Sequence, residues 1–207
     1  MSLTRLIAVV GSIVVLISCA FAQRNEISAT FGRTFVSSQH VPGANFCNPD
    51  IHFGNEETVN IDYSRLLITH HALGLWAEAP ISWFPKTDLN LGANLIPASY
   101  AGIFAAPSVR LNFFPGDSVT PWVSGGGGYG RFKEAGHLVF GGSNPGKIGT
   151  NTGVVQFGAG LDVWPWHRLG FRFEARDFYS GMPNLNVDTG RTRQHNYYVG
   201  GGVIRRF

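Results

Sequence analysis

The feature that most constrains this chain is a period-two alternation of apolar and polar side chains that returns eight times. It is sharpest over Leu169–Phe178, where Leu169, Phe171, Phe173 and Ala175 fall on one side and Arg172, Glu174 and Arg176 on the other. Successive side chains of an extended backbone point in opposite directions, so this period marks a strand with two unlike faces. The pattern also covers Asn25–Phe35, with Ile27, Ala29, Phe31 and Phe35 opposing Glu26, Ser28, Thr30 and Thr34. It recurs over Thr58–Ile68, Leu73–Phe84, Pro107–Phe114, Thr120–Phe132, Gly153–Trp164 and His195–Phe207. Pro80 interrupts the third stretch, a residue that strands tolerate best at a bulge or an edge.

The connections alternate as well. Val36–Glu57, Pro85–Ala105, Lys133–Thr152 and Tyr179–Gln194 read as long connections, and short links separate the remaining stretches. In up-and-down order every long loop then lies at one end and every short turn at the other, the asymmetry of transmembrane barrels. The expected fold is all-β: an eight-stranded antiparallel up-and-down transmembrane β-barrel. An even strand number leaves both ends of the barrel on the turn side.

Met1–Arg5 is short and basic, and Leu6–Ala22 is apolar and ends in Ala20-Phe21-Ala22, a small-x-small pattern. The expected organisation is an export signal over residues 1–22 and one barrel domain over residues 23–207. A second cut stays open, because Leu16-Ile17-Ser18-Cys19 resembles a lipoprotein processing box that would leave a lipidated Cys19. No later stretch approaches the roughly twenty apolar residues of a spanning helix. A formal net charge of +3 with scattered basic residues gives no case for a nucleic-acid partner. After a cut at Ala22 only Cys47 remains, which excludes an internal disulfide.

Alternation alone does not say which face points inward. A soluble periplasmic, lipocalin-like carrier would turn Leu169, Phe171 and Phe173 inward; a membrane barrel would turn them out. The polar faces carry both signs: Glu26, Asp62, Glu78, Asp162 and Glu174 with Arg110, Arg172, Arg176 and Arg206. An eight-stranded barrel is just wide enough for side chains to fill. These nine charges are therefore expected to form an interior network that plugs the lumen. Phe35, Tyr63, Trp83, Trp122, Trp164, Trp166 and Tyr197 lie near strand ends, where interfacial girdles place aromatic rings.

Pro121–Tyr129, Val155–Asp162 and Gly170–Asp177, with the Phe207 ending, resemble the small outer-membrane-protein β-barrel family, typified by the OmpA membrane domain and OmpX-like proteins. The resemblance implies residence in the outer membrane of a Gram-negative-type bacterium, among outer-membrane lipid. It also implies a last strand that the barrel-assembly machinery reads through Tyr197, Val199, Val203 and Phe207. It implies no single activity and no cofactor.

Other residues raise specific chemistry. His40, Cys47, Asp50 and His52 are metal-ligating types without recognised ligand spacing. His137, Ser143, Asp177, Ser180 and His195 fall near the outer rim, without a catalytic motif around them. Gly125–Gly128 and Gly200–Gly202 are not phosphate cradles, since no helical pattern follows either run. The expectation is no catalytic, cofactor or metal site, and a structural or surface-interaction role carried by four long loops of unknown ligand. A rim enzyme acting on lipid A or peptides is the alternative.

Overall fold

The computed structural model describes residues 25–207; the expected export signal, and with it Cys19, lies outside the described residues. The strands are β1 (Asn25–Phe35), β2 (Gln39–His40), β3 (Asp50–Phe53), β4 (Glu56–His70), β5 (Leu73–Asn90), β6 (Ser99–Ala105), β7 (Ser108–Phe113), β8 (Val119–Glu134), β9 (Thr150–Val163), β10 (Leu169–Gly181) and β11 (Arg193–Arg206). All pair antiparallel.

The pairings run β1–β4–β5, then through β6 and β7 to β8, and on through β9, β10 and β11 back to β1. That cycle is a closed wall with no free edge. β6 and β7 form one wall strand, because both hold the same register against β5 and against β8. It is interrupted at Ala106-Pro107, beside Pro80 of β5, whose carbonyl accepts from the Ala106 amide at 3.2 Å. In a strand the N–H and C=O of one residue point the same way, so the donor that Pro80 lacks also faces this interruption. The seam between β1 and β11 is closed by two backbone bonds between Asn25 and Phe207, at 2.9 and 3.2 Å.

The strands reach further into the loop end than the alternation indicates. The connection expected over Pro85–Ala105 shrinks to residues 91–98, because β5 runs on to Asn90 and β6 begins at Ser99. Here both faces are apolar: Trp83 and Ile103 point out, while Phe84, Tyr100 and Phe104 point in. The contrast that reveals a strand is therefore lost. Pro85 adds a register shift between Phe84 and Thr87. The third and fourth loops contract likewise, to residues 135–149 and 182–192. The first is not a bare loop either: β2 and β3 pair within it, and β3 pairs with the end of β5.

The wall is inverted relative to a soluble barrel. Ile27, Phe31, Ile61, Ile81, Val123, Phe157, Phe173 and Val203 are exposed, and their polar neighbours Glu26, Ser28, Asn60, Asp62, Arg172 and Glu174 are buried. This burial overturns the lipocalin-like alternative, in which the greasy face would line the cavity. Inside, the turn-side half holds charged groups. The loop-side half holds an apolar cluster that includes Phe84, Tyr100, Phe104, Phe132, Phe178 and Tyr198, joined by Val41, Ile51, Leu91, Ile96 and Leu185 from the loop regions.

Candidate functional site

The turn-side lumen is built on three inward arginines. Arg172 of β10 stands opposite Asp162 of β9 in register and grips it with two bonds of 2.8 Å, from Nε and Nη2. Its third nitrogen, Nη1, reaches Asp62 and Ser28, both at 3.1 Å. Such a two-pronged pair fixes orientation as well as charge. Arg176, two inward positions further along β10, bonds Glu174 through Nε and Glu78 through Nη1, each at 2.9 Å. Arg110 of β7 donates to Glu26 and, at 3.3 Å, to Ser64. Arg206 donates twice to the other oxygen of Glu26. Glu174 takes further bonds from Thr30 and Asn60. The nine residues singled out in the sequence meet in one connected cluster spanning seven strands, with Arg110 approaching Glu78 and Asp162, and Arg172 approaching Glu26, within 4.0 Å.

Two tryptophans, not among the nine residues, are also part of this cluster. Trp122 is 1% exposed; its Nε1 donates to Asp162 at 3.2 Å. The guanidinium carbons of Arg172 and Arg176 lie 5.1 Å from its ring and that of Arg110 lies 5.7 Å away. Arg110 also lies 5.0 Å from the Trp76 ring. Each ring face offers negative quadrupole to a cation that lacks water. Gly160 makes room for Trp122: a Cβ there would lie 2.4 Å from the indole and 2.5 Å from the Phe173 carbonyl. A signal was present in the sequence, since Trp76 and Trp122 share parity with Glu78 and Ser124 on their strands.

The rim residues are dispersed. His195 and Asp177 hydrogen-bond at 2.7 Å on the outward wall, where His195 stacks on Tyr197. Ser180 points inward instead, buried and bonded by Asn196 at 3.0 Å. A histidine and a hydroxyl on opposite sides of the wall do not form a nucleophile–base pair. His137 and Ser143 pair through their backbones in an antiparallel bridge within the third loop. In the first loop His40 binds Asp50 at 2.7 Å and His52 binds Ser38 at 3.0 Å, while Cys47 is exposed. Among the described residues no three metal-ligating side chains come together.

No protein-family profile matches the chain, and no curated protein matches it. Solved structures do. Neisserial surface protein A is 13% identical over 88% of this chain and 97% of its own, with a TM-score of 0.53. The outer membrane protein OprG from Pseudomonas aeruginosa is 14% identical over 90% and 96%, with a TM-score of 0.51. The outer membrane enzyme PagL is 17% identical over 86% and 97%, with a TM-score of 0.45.

The fold is that of a small outer-membrane β-barrel.

The outward face of the barrel fits that setting. Lipid offers backbone groups no hydrogen bonds, and a closed wall leaves none unpaired along its edges. Phe35, Tyr63, Trp83, Trp166 and Tyr197 are exposed near the ends of the apolar belt. The girdle expected at Trp122 and Trp164 is corrected. Trp122 lies in the lumen, and Trp164, 9% exposed, packs beneath the Arg206 guanidinium at 4.0 Å. Both have the inward parity of their strands. Tyr197, Val199 and Val203 lie on the outward face of β11, with Phe207 exposed just beyond it.

Proposed function

We propose that the protein is a non-conducting outer-membrane barrel with a structural and surface-interaction role, delivered by an export signal over residues 1–22. The observation that carries this reading is the burial of large side chains along the inward face in both halves of the barrel. Fully buried Arg110, Arg172, Arg176 and Trp122 occupy the turn side, and the aromatic cluster occupies the loop side. A small barrel packed in both halves favours a plug over an aqueous path. Purified protein in planar bilayers is expected to give no steady single-channel conductance; a reproducible open level would overturn the plugged reading.

The loop end supports the interaction role because it is tied together before any ligand arrives. Glu134 accepts from Thr150 Oγ1 and from the Asn184 amide, both at 2.7 Å, joining the third and fourth loops. Asn94 bonds Gly141 and Phe140, joining the second to the third, and Asn186 bonds Asn144 at 2.7 Å. Phe140, Leu95 and Ile148 are exposed on this platform. Preorganised loops with exposed apolar groups bind at lower ordering cost. Replacing residues 182–192 by a short turn should keep the barrel folded and abolish binding to host or abiotic surfaces. Unchanged adhesion would remove the loop from this role.

The outward side chains Tyr197, Val199, Val203 and Phe207 are proposed as the surface that the assembly machinery reads. Removal of Phe207 should lower the amount of folded barrel in the outer membrane, and normal insertion would count against the assignment.

A further inference from the structure

On the outward wall, one site at the loop end answers to nothing in the lumen. The outward residues of β8 are apolar or glycine from Val119 to Gly127, then Tyr129, and then two cations, Arg131 and Lys133. Register sets Arg131 opposite Ile103, and Ile103 opposite Trp83. Lys133 stands opposite Ala101. Ile148 of the third loop closes the far side, giving a groove of about 520 Å³. The change from Tyr129 to Arg131 marks the level where this strand leaves the apolar belt.

Residues two apart on one strand face sit about 6–7 Å apart, so these two cations repel unless an anion lies between them. Among the described residues neither has a side-chain hydrogen bond or an ion-pair partner. Three other cations at this end do have partners: Lys86 pairs with Asp88 at 2.8 Å, His195 with Asp177, and Arg193 lies over the Tyr179 ring. Glu134, adjacent in sequence, faces the opposite side of the wall and is engaged with Thr150 and Asn184. The cations also sit against an apolar floor that a small hydrated anion would leave bare. The site asks for a molecule that is anionic at one end and greasy at the other.

We infer that this groove binds a phosphorylated lipid of the leaflet facing the long loops. The phosphate lies between Arg131 and Lys133, and an acyl chain lies along Trp83 and Ile103. The inference rests on the barrel spanning a bilayer, and is independent of the closed lumen and of any loop ligand.

The test uses folded full-length protein in non-ionic detergent and native mass spectrometry with two probes: lipid A carrying its phosphates, and the same lipid dephosphorylated. The Arg131→Gln/Lys133→Gln double variant is compared with Arg168→Gln/Arg205→Gln, which removes two exposed cations from the opposite rim. Wild type and the opposite-rim variant should retain the phosphorylated probe. The double variant should bind it on the order of thirtyfold more weakly, from the typical contribution of two cations at a charged membrane surface. Dephosphorylation should weaken wild-type binding to a similar degree, and millimolar inorganic phosphate should not displace the lipid. Equal binding of both probes to wild type overturns the inference, as does unchanged binding by a folded double variant. Displacement by phosphate alone would reassign the groove to a free anion. The two-probe comparison on wild type decides the matter even if the double variant does not fold.

Discussion

At the residue scale the lumen depends on groups that cannot be altered singly without loss. Arg172 is paired with both Asp162 and Asp62, and removing it leaves two buried carboxylates without their nearest cation. Arg172→Met should therefore destabilise the barrel by about 3–5 kcal/mol, read as a lower urea midpoint in lipid vesicles. Trp122→Ala should cost a similar amount, about 3–5 kcal/mol, because it opens a cavity and strips three arginines of their ring contacts. Gly160→Val is expected to fail more severely than Gly153→Val. A Cβ at 160 meets both the indole and a backbone carbonyl, whereas one at 153 meets nothing within 4 Å. Equal folded yields for these two variants would mean that the Trp122 packing is not required.

At the element scale, each wall strand has a lipid face and a lumen face, and substitutions should obey that division. Phe173→Arg, mid-strand on the outward side of β10, should cost about 2–4 kcal/mol, and Phe35→Arg at the loop-side end of β1 about 0–1 kcal/mol. Equilibrium unfolding in vesicles would measure both, and similar costs would argue against a bilayer centred on the belt. The legibility of the strands follows the same division. β10 stands out because its lumen side chains are Arg172, Glu174 and Arg176 while its lipid side chains are phenylalanines. β6 was not legible because Phe104 and Tyr100 fill the lumen as Ile103 meets lipid, so both faces are apolar. Alternation reports a difference in polarity between two faces, and it vanishes wherever the lumen itself is greasy.

At the scale of the whole molecule, closure of the wall should make the native barrel resist unfolding by detergent at room temperature. Unheated and boiled samples are expected to migrate differently on a denaturing gel, and identical mobility would contradict the closed wall. The number of wall strands, the order of long and short connections, and the sharing of one strand face by the charges and their polar neighbours follow from local periodicity, because side-chain direction in a strand is a property of adjacent residues; that this face points inward was decided by the burial. What periodicity does not carry is depth along the barrel or which strands stand opposite across the lumen. The stack of three guanidiniums on Trp122 joins β7, β8 and β10, and the apolar layer beneath the loops gathers rings from β5, β6, β8, β10 and β11. Those meetings depend on register and closure, which set distances between residues far apart in the chain. The outward groove arises in the same way: Arg131 and Lys133 are ordinary strand-end cations until the register lays Ile103 and Trp83 beside them.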